Sequence, residues 1–368
     1  MNMKADISKI VPYFCFRGEL IDAIPYGSGH INDTYAATFR LKDGKKQRYI
    51  VQRINHNVFK KPEELMENIS NITKYLRSKI IASGGDPERE TLNIVPTCAG
   101  GSYLRTDEGD YWRSYIFIED AKTYDVVENG GHFYAAGKAF GRFQELLSDF
   151  PADSLHETIP DFHHTGKRYD AFIRSVETDA FNRAAEVSKE IEFVTRRSGE
   201  MRTLVQMLET GKIPLRVTHN DTKFNNVMID NKTGLGICVI DLDTVMPGTA
   251  LYDFGDSIRS GANPAAEDEK DLSKVWMELS LYEKFAQGYL ESAHNFLTPA
   301  ELENLPFAAK MMTMECGIRF LTDYLSGDVY FKVHRAGHNL DRARTQFKMV
   351  ADMENKWDKM HQIVDRYK

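Results

Sequence analysis

The stretch that decides the fold is RVTHNDTKFNNVMID, Arg216 to Asp230. Its polar residues His219, Asp221 and Asn226 lie between two apolar segments. A solvated loop would not need the apolar flanks, and a buried strand would not accept the polar centre. Two short strands that hold a reactive loop between them account for both features.

A second acidic residue, Asp241, ends the next apolar segment, in CVIDLDT. An Asp, an Asn five residues later and an Asp after the following strand form the arrangement used for phosphoryl transfer. In that arrangement Asp221 accepts a hydroxyl proton, while Asn226 and Asp241 hold a metal ion. Mg²⁺ suits such a sparse ligand set, because phosphate oxygens and water complete its coordination.

A glycine-rich segment, YGSGHINDTY, lies far upstream between two alternating apolar runs. The pattern predicts a hairpin, and Gly27 and Gly29 would let backbone amides approach the phosphates of ATP. Asn32 stands where the third glycine of G-x-G-x-x-G would be. Without the downstream loop, a simple β-turn would explain this segment better.

The order of elements predicts an α+β fold, with strands in the first third and helices after it. We expect an N-terminal nucleotide-covering lobe over residues 1–118 and a C-terminal catalytic lobe over 119–368. Strands are predicted at 94–100, 102–106 and 111–120, among others. Single long helices are predicted at 61–79, 132–150, 190–211, 273–293, 305–327 and 342–368.

The bulk composition narrows the class of partner. The chain has 368 residues and a formal net charge of −7, which argues against nucleic acid as the main partner. Neither a secretory leader nor a membrane span is recognisable, and Cys15, Cys98, Cys238 and Cys316 form no C-x-x-C motif. We expect a monomer with reduced thiols that acts in the cytoplasm on a small molecule.

These residues resemble the aminoglycoside phosphotransferase and choline kinase group, which has a protein-kinase-like two-lobe fold. Within that group the resemblance is greatest to the N-acetylhexosamine 1-kinases, and it extends from about residue 25 to residue 350. It is found in GSGHINDTY, YIVQRIN, LRVTHNDTKFNNVMID, VIDLDTVMPGTALYDFGDSIRSGA, EDEKDLSKV and TMECGIRFLTDYLSGDVYF.

The resemblance implies that the chain phosphorylates the anomeric hydroxyl of N-acetylglucosamine or N-acetylgalactosamine, with ATP and Mg²⁺. It gives Asp221 the role of base, Asn226 and Asp241 the role of metal ligands, and Lys223 a place near the transferred phosphate. It places the adenine-binding hinge at Phe117, Ile118 and Glu119, and a sugar pocket at His30, Asp221, Asp241, Arg319 and Tyr330.

One departure concerns the lysine that kinases carry on their third strand. YIVQRIN has Gln52 and Arg53 there, and the sequence leaves open which of them replaces it. Two other functions also stay open. One is a kinase for another hydroxylated metabolite, such as an amino alcohol, choline or an aminoglycoside. The other is a nucleotide-binding pseudokinase, although retention of all three acidic and amide residues argues against it.

Several residues have a plainer interpretation. Asp243 shares a strand face with Asp241 if the strand continues, and we favour a supporting role for it. Asp253 is predicted to cap an element beneath the reactive loop. His163 and His164 are expected in a surface or interlobe loop. Arg319 could pair with Asp323 one helical turn away, and 267–271 is expected to be a solvated charge run.

Overall fold

A computed structural model describes residues 6–27 and 31–368 of the chain. The first part of the chain forms a five-stranded antiparallel sheet with the order β1-β2-β3-β5-β4. The hairpin predicted from the alternating pattern is present as β1 and β2. The strands are β1 (Glu19–Pro25), β2 (Asp33–Arg40), β3 (Lys46–Ile54), β4 (Leu104–Arg105) and β5 (Tyr111–Ile116).

Helix α1 (Pro62–Ala82) begins at a proline in its first turn, as the sequence predicts. Its buried face includes Leu65, Ile69 and Ile72, which belong to the same core cluster as Ile54 of β3. That cluster continues into the helical part of the chain. The sheet and the helices therefore share a continuous apolar core, and the position of the lobe boundary at residue 118 stays a prediction.

The rest of the described chain is mainly helical, with two small sheets around the reactive loop. In these sheets β7 pairs with β10, and β8 lies between β6 and β9. The strands are β6 (Ala121–Lys122), β7 (Arg216–Thr218), β8 (Val227–Asp230), β9 (Gly236–Val239) and β10 (Met246–Gly248). The helices are α2 (Gly130–Leu146), α3 (Thr165–Thr178), α4 (Ser188–Thr195), α5 (Thr203–Glu209), α6 (Ala250–Gly261), α7 (Leu279–Ala293), α8 (Pro299–Leu325), α9 (His338–Asn355) and α10 (Trp357–Tyr367).

Helices α2 and α7 approach each other closely because both present glycine at the contact. A Cβ atom on Gly141 of α2 would lie 2.5 Å from the carbonyl oxygen of Tyr289 on α7. Gly137 faces Phe285 in the same way, and Gly288 on α7 faces the backbone of Tyr134. The backbones touch at these points, which leaves no room for a side chain.

Some sequence predictions of elements were wrong. Residues 94–100 make only isolated bridges, such as Phe14 with Thr97. The helix predicted over 190–211 is two short helices, and Arg197 in the break pairs with Glu354 of α9 at 2.6 Å. The helix predicted over 342–368 divides at Lys356, whose Nζ bonds the carbonyl of Met277 at 2.8 Å. In both cases a tertiary contact takes a residue out of the helical path.

The mixed α+β class is confirmed. All four cysteines are free, and the Sγ atoms of Cys15 and Cys98 lie 4.0 Å apart. Within the ranges 6–27 and 31–368, no helix combines the length and the apolar character that a membrane crossing needs.

Candidate active site

The reactive loop follows β7 and is held from below by Asp253 in the first turn of α6. One carboxylate oxygen of Asp253 accepts the amide N–H of His219 at 2.9 Å, and the other accepts that of Asn220 at 2.8 Å. Gln144 of α2 also donates to this carboxylate, at 2.6 Å. These bonds stabilise Asn220 in the left-handed region, at φ 64°. Asp253 thus supports the loop, as the sequence suggested.

Asp221 lies at the tip of this loop beside a cation and an amide. Its Oδ1 is 2.8 Å from Nζ of Lys223, and its Oδ2 accepts a hydrogen bond from Nδ2 of Asn226 at 3.2 Å. Burial acts to raise the pKa of Asp221, but Lys223 together with His219 and Arg259 outweighs burial, and the pKa is lowered. The carboxylate in turn raises the pKa of Lys223. At neutral pH the pair is therefore a carboxylate and an ammonium.

Asp241 reaches the same place from the neighbouring strand. The amide of Ile240 bonds the carbonyl of Asn226 at 2.9 Å, which places the ends of β8 and β9 together. Asp241 then turns into the left-handed region at φ 60°, and a 3₁₀ turn follows at Leu242–Thr244. Asp241 and Asp243 are therefore not on one face of a strand, and the prediction that they share a face was wrong.

The surroundings of Asp241 fit a bound cation. Asp241 is exposed to solvent, although many protein atoms lie around its carboxylate. Loss of solvation, together with the nearby carboxylates of Asp243 and Asp221, raises the pKa of Asp241 to about 6. Three carboxylates lie close together here, those of Asp221, Asp241 and Asp243, and this arrangement favours a bound cation.

Few side chains at this site could serve as metal ligands. None of the described residues donates a hydrogen bond to Oδ1 of Asn226, so this oxygen is available to a metal. In the described ranges no three His, Cys, Asp or Glu side chains stand close enough to form a metal cage. A pair of oxygen donors such as Asn226 and Asp241 is what Mg²⁺ uses when phosphates and water supply its other ligands.

The hinge follows β5 and is centred on Ile118, whose backbone has no hydrogen-bond partner among the described residues. Phe117 donates its amide to the carbonyl of Arg48 at 3.1 Å, and Nε of Arg48 donates to the carboxylate of Glu119 at 2.9 Å. Ile118 is 5% exposed, and neither its N–H nor its C=O bonds any other described residue. Since buried backbone groups are nearly always paired, this edge is suited to a planar heterocycle with its own donors and acceptors.

The glycine-rich hairpin lies against the hinge, since the rings of Tyr26 and Phe117 are 5.3 Å apart in an edge-to-face arrangement. Gly27 has a φ of 83°, in the left-handed region that glycine adopts without steric cost. Gly29 and His30, to which we gave nucleotide and sugar contacts, lie outside the described residues.

Arg319 on α8 is linked to the reactive loop through Glu315 and His163. Its guanidinium lies 3.9 Å from Glu315, which is 3.0 Å from Nδ1 of His163; Nε2 of the same ring is 3.0 Å from the carbonyl of Asn220. Tyr330 is 67% exposed and interacts with Arg319. His163 lies in a loop, as predicted, but the alternative of a surface loop was wrong, because the side chain is buried between α8 and the reactive loop.

The alternative partner suggested for Arg319 is excluded. Asp323 instead accepts the amides of Val329, Tyr330 and Phe331 at 2.8–2.9 Å and so shapes the turn that carries Tyr330. The charge run 267–271 is also not simply solvated: Glu267 is 3.2 Å from Arg259, and Asp268 is 3.0 Å from His338.

Gln52 and Arg53 point to opposite faces of β3. Arg53 pairs with Asp33, with its Nε at 2.9 Å, and lies 3.5 Å from Asp110, away from the cleft. Gln52 instead accepts two hydrogen bonds from Arg113 of β5, at 2.8 and 2.6 Å. Neither residue places a free cation at the position of the kinase lysine.

Two arginines at this site escaped the sequence reasoning. Arg113 is fully buried and pairs with Asp243, and only the strand register could have revealed it. Arg168 lies near Arg319 and Tyr330, and burial together with Arg319 lowers its pKa. Its Nε is buried without a hydrogen-bond partner among the described residues. The roles assigned to the individual site residues stay predictions.

Comparison with known proteins identifies the wider family. The model of the Phosphotransferase enzyme family matches residues 22–298. An aminoglycoside phosphotransferase from Alicyclobacillus acidocaldarius superposes with a TM-score of 0.61 at 11% identity, covering 100% of this chain and 98% of that one. An amicoumacin kinase in complex with AMP-PNP and Ca²⁺ gives 0.58 at 13%, covering 95% and 92%. Choline kinase from Cryptosporidium parvum gives 0.54 at 14%, covering 94% and 92%. The kinase-like fold is thereby confirmed.

Proposed function

The chain belongs to the phosphotransferase enzyme family, and from that premise we propose that it phosphorylates N-acetylglucosamine or N-acetylgalactosamine at the anomeric hydroxyl, with ATP as donor and Mg²⁺ as cofactor. The proposal rests on one observation above all: Asp221, Lys223 and Asn226 form a single cluster beside Asp241. An acceptor-activating carboxylate next to a metal site is the equipment of a kinase for alcohols.

The chain's own residues would divide the work between them. Asp221 accepts the hydrogen bond of the attacking hydroxyl and takes its proton. Lys223 offsets negative charge on the transferred group. Asn226 and Asp241 would hold Mg²⁺, which supplies charge neutralisation between the phosphates when it is bound. Since the transition state of phosphoryl transfer is loose, orientation and charge compensation provide most of the rate enhancement.

The acceptor side favours a neutral, hydroxylated ring. Arg319 and Arg168 lie on the side of the site near Tyr330, and the only described carboxylate paired with Arg319 is the buried Glu315. Guanidinium and phenol groups are directional hydrogen-bond donors, which suit hydroxyl and acetamido oxygens. A quaternary ammonium such as choline would instead meet two positive charges at short range.

An acceptor screen tests the proposal directly. The protein is incubated with ATP and Mg²⁺ and with each sugar, choline and ethanolamine, and the product is identified by ³¹P and ¹H NMR. We expect a sugar 1-phosphate from both N-acetylhexosamines and no phosphocholine. The matched control is the methyl glycoside of each sugar, whose anomeric oxygen is blocked and which should not react.

Two outcomes would contradict the proposal at different levels. Phosphate found at the 6-hydroxyl, or reaction of the methyl glycoside, would remove the anomeric assignment but leave a sugar kinase. Turnover of choline or ethanolamine in place of the sugars would mean that the chain is an amino-alcohol kinase instead.

A further inference from the structure

Four residues from distant parts of the chain meet between the sheet and the reactive loop, and we call them the interlobe cluster: Asn32, Gln52, Arg113 and Asp243. Asn32 belongs to the glycine-rich hairpin, Gln52 to β3 and Arg113 to β5, whereas Asp243 lies in the turn after Asp241. The cluster thus joins the nucleotide-covering part of the chain to the metal side of the site.

The cluster is centred on a buried ion pair. Arg113 and Asp243 contact each other with only 2% and 4% of their side chains exposed. The guanidinium of Arg113 also donates twice to Oε1 of Gln52, and Gln52 donates in turn to the hydroxyl of Thr34 at 2.8 Å. Asp243 accepts a second bond from Nδ2 of Asn32 at 2.6 Å. Two charges this deeply buried persist only when both are paired and hydrogen-bonded.

In protein kinases a lysine on the third strand and a glutamate on the following helix form an ion pair that must be in place for activity. Here the third strand has Gln52 at the inward position, and the atom that α1 brings to Arg113 is the sulfur of Met66 at 3.9 Å. The cation comes from β5 and the carboxylate comes from the loop beside Asp241. Both members of the pair therefore come from elements other than those that supply them in protein kinases.

We propose that the Arg113–Asp243 pair, completed by Asn32 and Gln52, positions Asp241 for metal binding. Arg113 and Asp243 are positioning residues, because both are buried and they act through Asp241. Asp243 is suited to this role because the single turn at Leu242–Thr244 transmits its position to Asp241. The inference rests on the proposed function only in taking Asp241 as a metal ligand.

The test measures metal affinity without requiring an acceptor. Binding of Mn²⁺ to the AMP-PNP complex is titrated by electron paramagnetic resonance in the wild type and in Arg113→Met, and the Mg²⁺ needed for half-maximal turnover is measured in parallel. Loss of a residue that orients a metal ligand typically costs about 10–100-fold in metal affinity, and we expect a shift of that size in both measurements. Arg113→Lys keeps the charge without the fork geometry of the guanidinium. Its Mn²⁺ affinity should therefore lie between those of the wild type and Arg113→Met.

Arg53→Met is the matched control, because Arg53 is the neighbouring arginine on the outer face of the same sheet and pairs with Asp33 and Asp110. It should leave the Mn²⁺ affinity unchanged. A double variant, Arg113→Met with Asp243→Asn, should shift the affinity about as much as the more severe single variant, because both changes break one pair.

If Arg113→Met and Asp243→Asn reduce the Mn²⁺ affinity independently, so that their effects multiply in the double variant, the proposal is overturned. A folded Arg113→Met variant that binds Mn²⁺ within twofold of the wild type would also overturn it. If Arg113→Met does not fold, Asn32→Ala replaces it. This change removes the bond to Asp243 and also the bond that Oδ1 of Asn32 accepts from the amide of Asn55 at 2.9 Å. It should still weaken Mn²⁺ binding relative to Arg53→Met, and no weakening would overturn the proposal. Because Mn²⁺ binding needs no acceptor, these results stand apart from failure of the sugar assignment, which would show only in the acceptor screen.

Discussion

Asp221 is held as a carboxylate by the residues around it, and this bears on what kind of base it is. Lys223 at 2.8 Å, together with His219 and Arg259, outweighs the effect of burial and keeps the pKa of Asp221 below its ordinary value. A carboxylate with a low pKa is a weak acceptor of protons from an alcohol. Its main contribution is therefore to orient the hydroxyl and to receive the proton late, as bond formation to phosphorus acidifies it.

The first prediction concerns this residue. Asp221→Asn preserves the shape but removes the charge, so kcat should fall by about 10²–10⁴-fold, while the affinity for AMP-PNP changes little. Steady-state kinetics and calorimetric titration measure the two quantities. Asp358→Asn, an exposed aspartate on α10, serves as the control and should behave as wild type. A folded Asp221→Asn variant with more than half of the wild-type turnover would show that another group receives the proton.

The second prediction separates a metal ligand from a structural residue. Asp241→Ala should abolish Mg²⁺-dependent turnover without lowering the thermal midpoint. Loss of solvation, together with the nearby carboxylates of Asp243 and Asp221, raises the pKa of Asp241 to about 6, so removal of this carboxylate relieves repulsion in the metal-free protein. Differential scanning fluorimetry without metal and a Mg²⁺ titration of activity are the measurements. Normal turnover at ordinary Mg²⁺ would contradict the assignment.

Residues could be predicted from the sequence where the chain places them close together between strands. Asp221 and Asn226 are separated by one turn of a loop, and Asp241 follows the next strand, so spacing alone brings them together. Arg113 and Asp243 lie far apart in the chain, and only the register of β3 with β5 and the turn after Asp241 bring them into contact. No local pattern contains that information.

At the scale of elements, the contact between α2 and α7 determines how the helical part supports the site, because α2 also carries Gln144 beneath the reactive loop. Gly141→Ala would force a Cβ to within 2.5 Å of the Tyr289 carbonyl oxygen, and neither backbone can yield easily. We expect a loss of about 1–3 kcal/mol in the free energy of unfolding, measured by urea denaturation.

Gly199→Ala is the matched control for this change, because no atom lies within 4 Å of the added Cβ and its φ is not in the left-handed region. It should leave stability nearly unchanged. Equal stability of the two variants would mean that α2 and α7 can separate without cost.

Elements with a strong period were found by sequence, while their breaks were not. The apolar spacing of α1 and the alternation of β1 and β2 come from burial of one face, which the sequence records directly. The break between α4 and α5 comes instead from Arg197 meeting Glu354 on α9. Such a contact depends on an element more than a hundred residues away, so periodicity cannot reveal it.

At the scale of the whole molecule, the nucleotide is expected between the hinge and the interlobe cluster, where it would contact both parts of the fold. A ligand that binds only the folded chain stabilises it by about 2.7 kcal/mol at a concentration a hundred times Kd. AMP-PNP with Mg²⁺ should therefore raise the thermal midpoint, and chelation of the metal should reverse most of the rise. Adenosine, which lacks the phosphates, is the control and should stabilise less. An unchanged thermal midpoint with AMP-PNP would show that the nucleotide does not bind in this cleft.

The order of the five-stranded sheet leaves β1 and β4 as its two outer strands, and each is a poor template for a second chain. β4 has only two residues, and β1 combines Glu19 and Asp22 with a bulge between Leu20 and Asp22 and with Pro25, which has no N–H to donate. Natural sheets use such features to prevent edge-to-edge aggregation. Although Ile21 and Ile24 of β1 are exposed, a concentrated solution of this protein should thus resist β-mediated polymerisation. Pro25→Val would weaken that protection, because valine restores the backbone N–H that proline lacks.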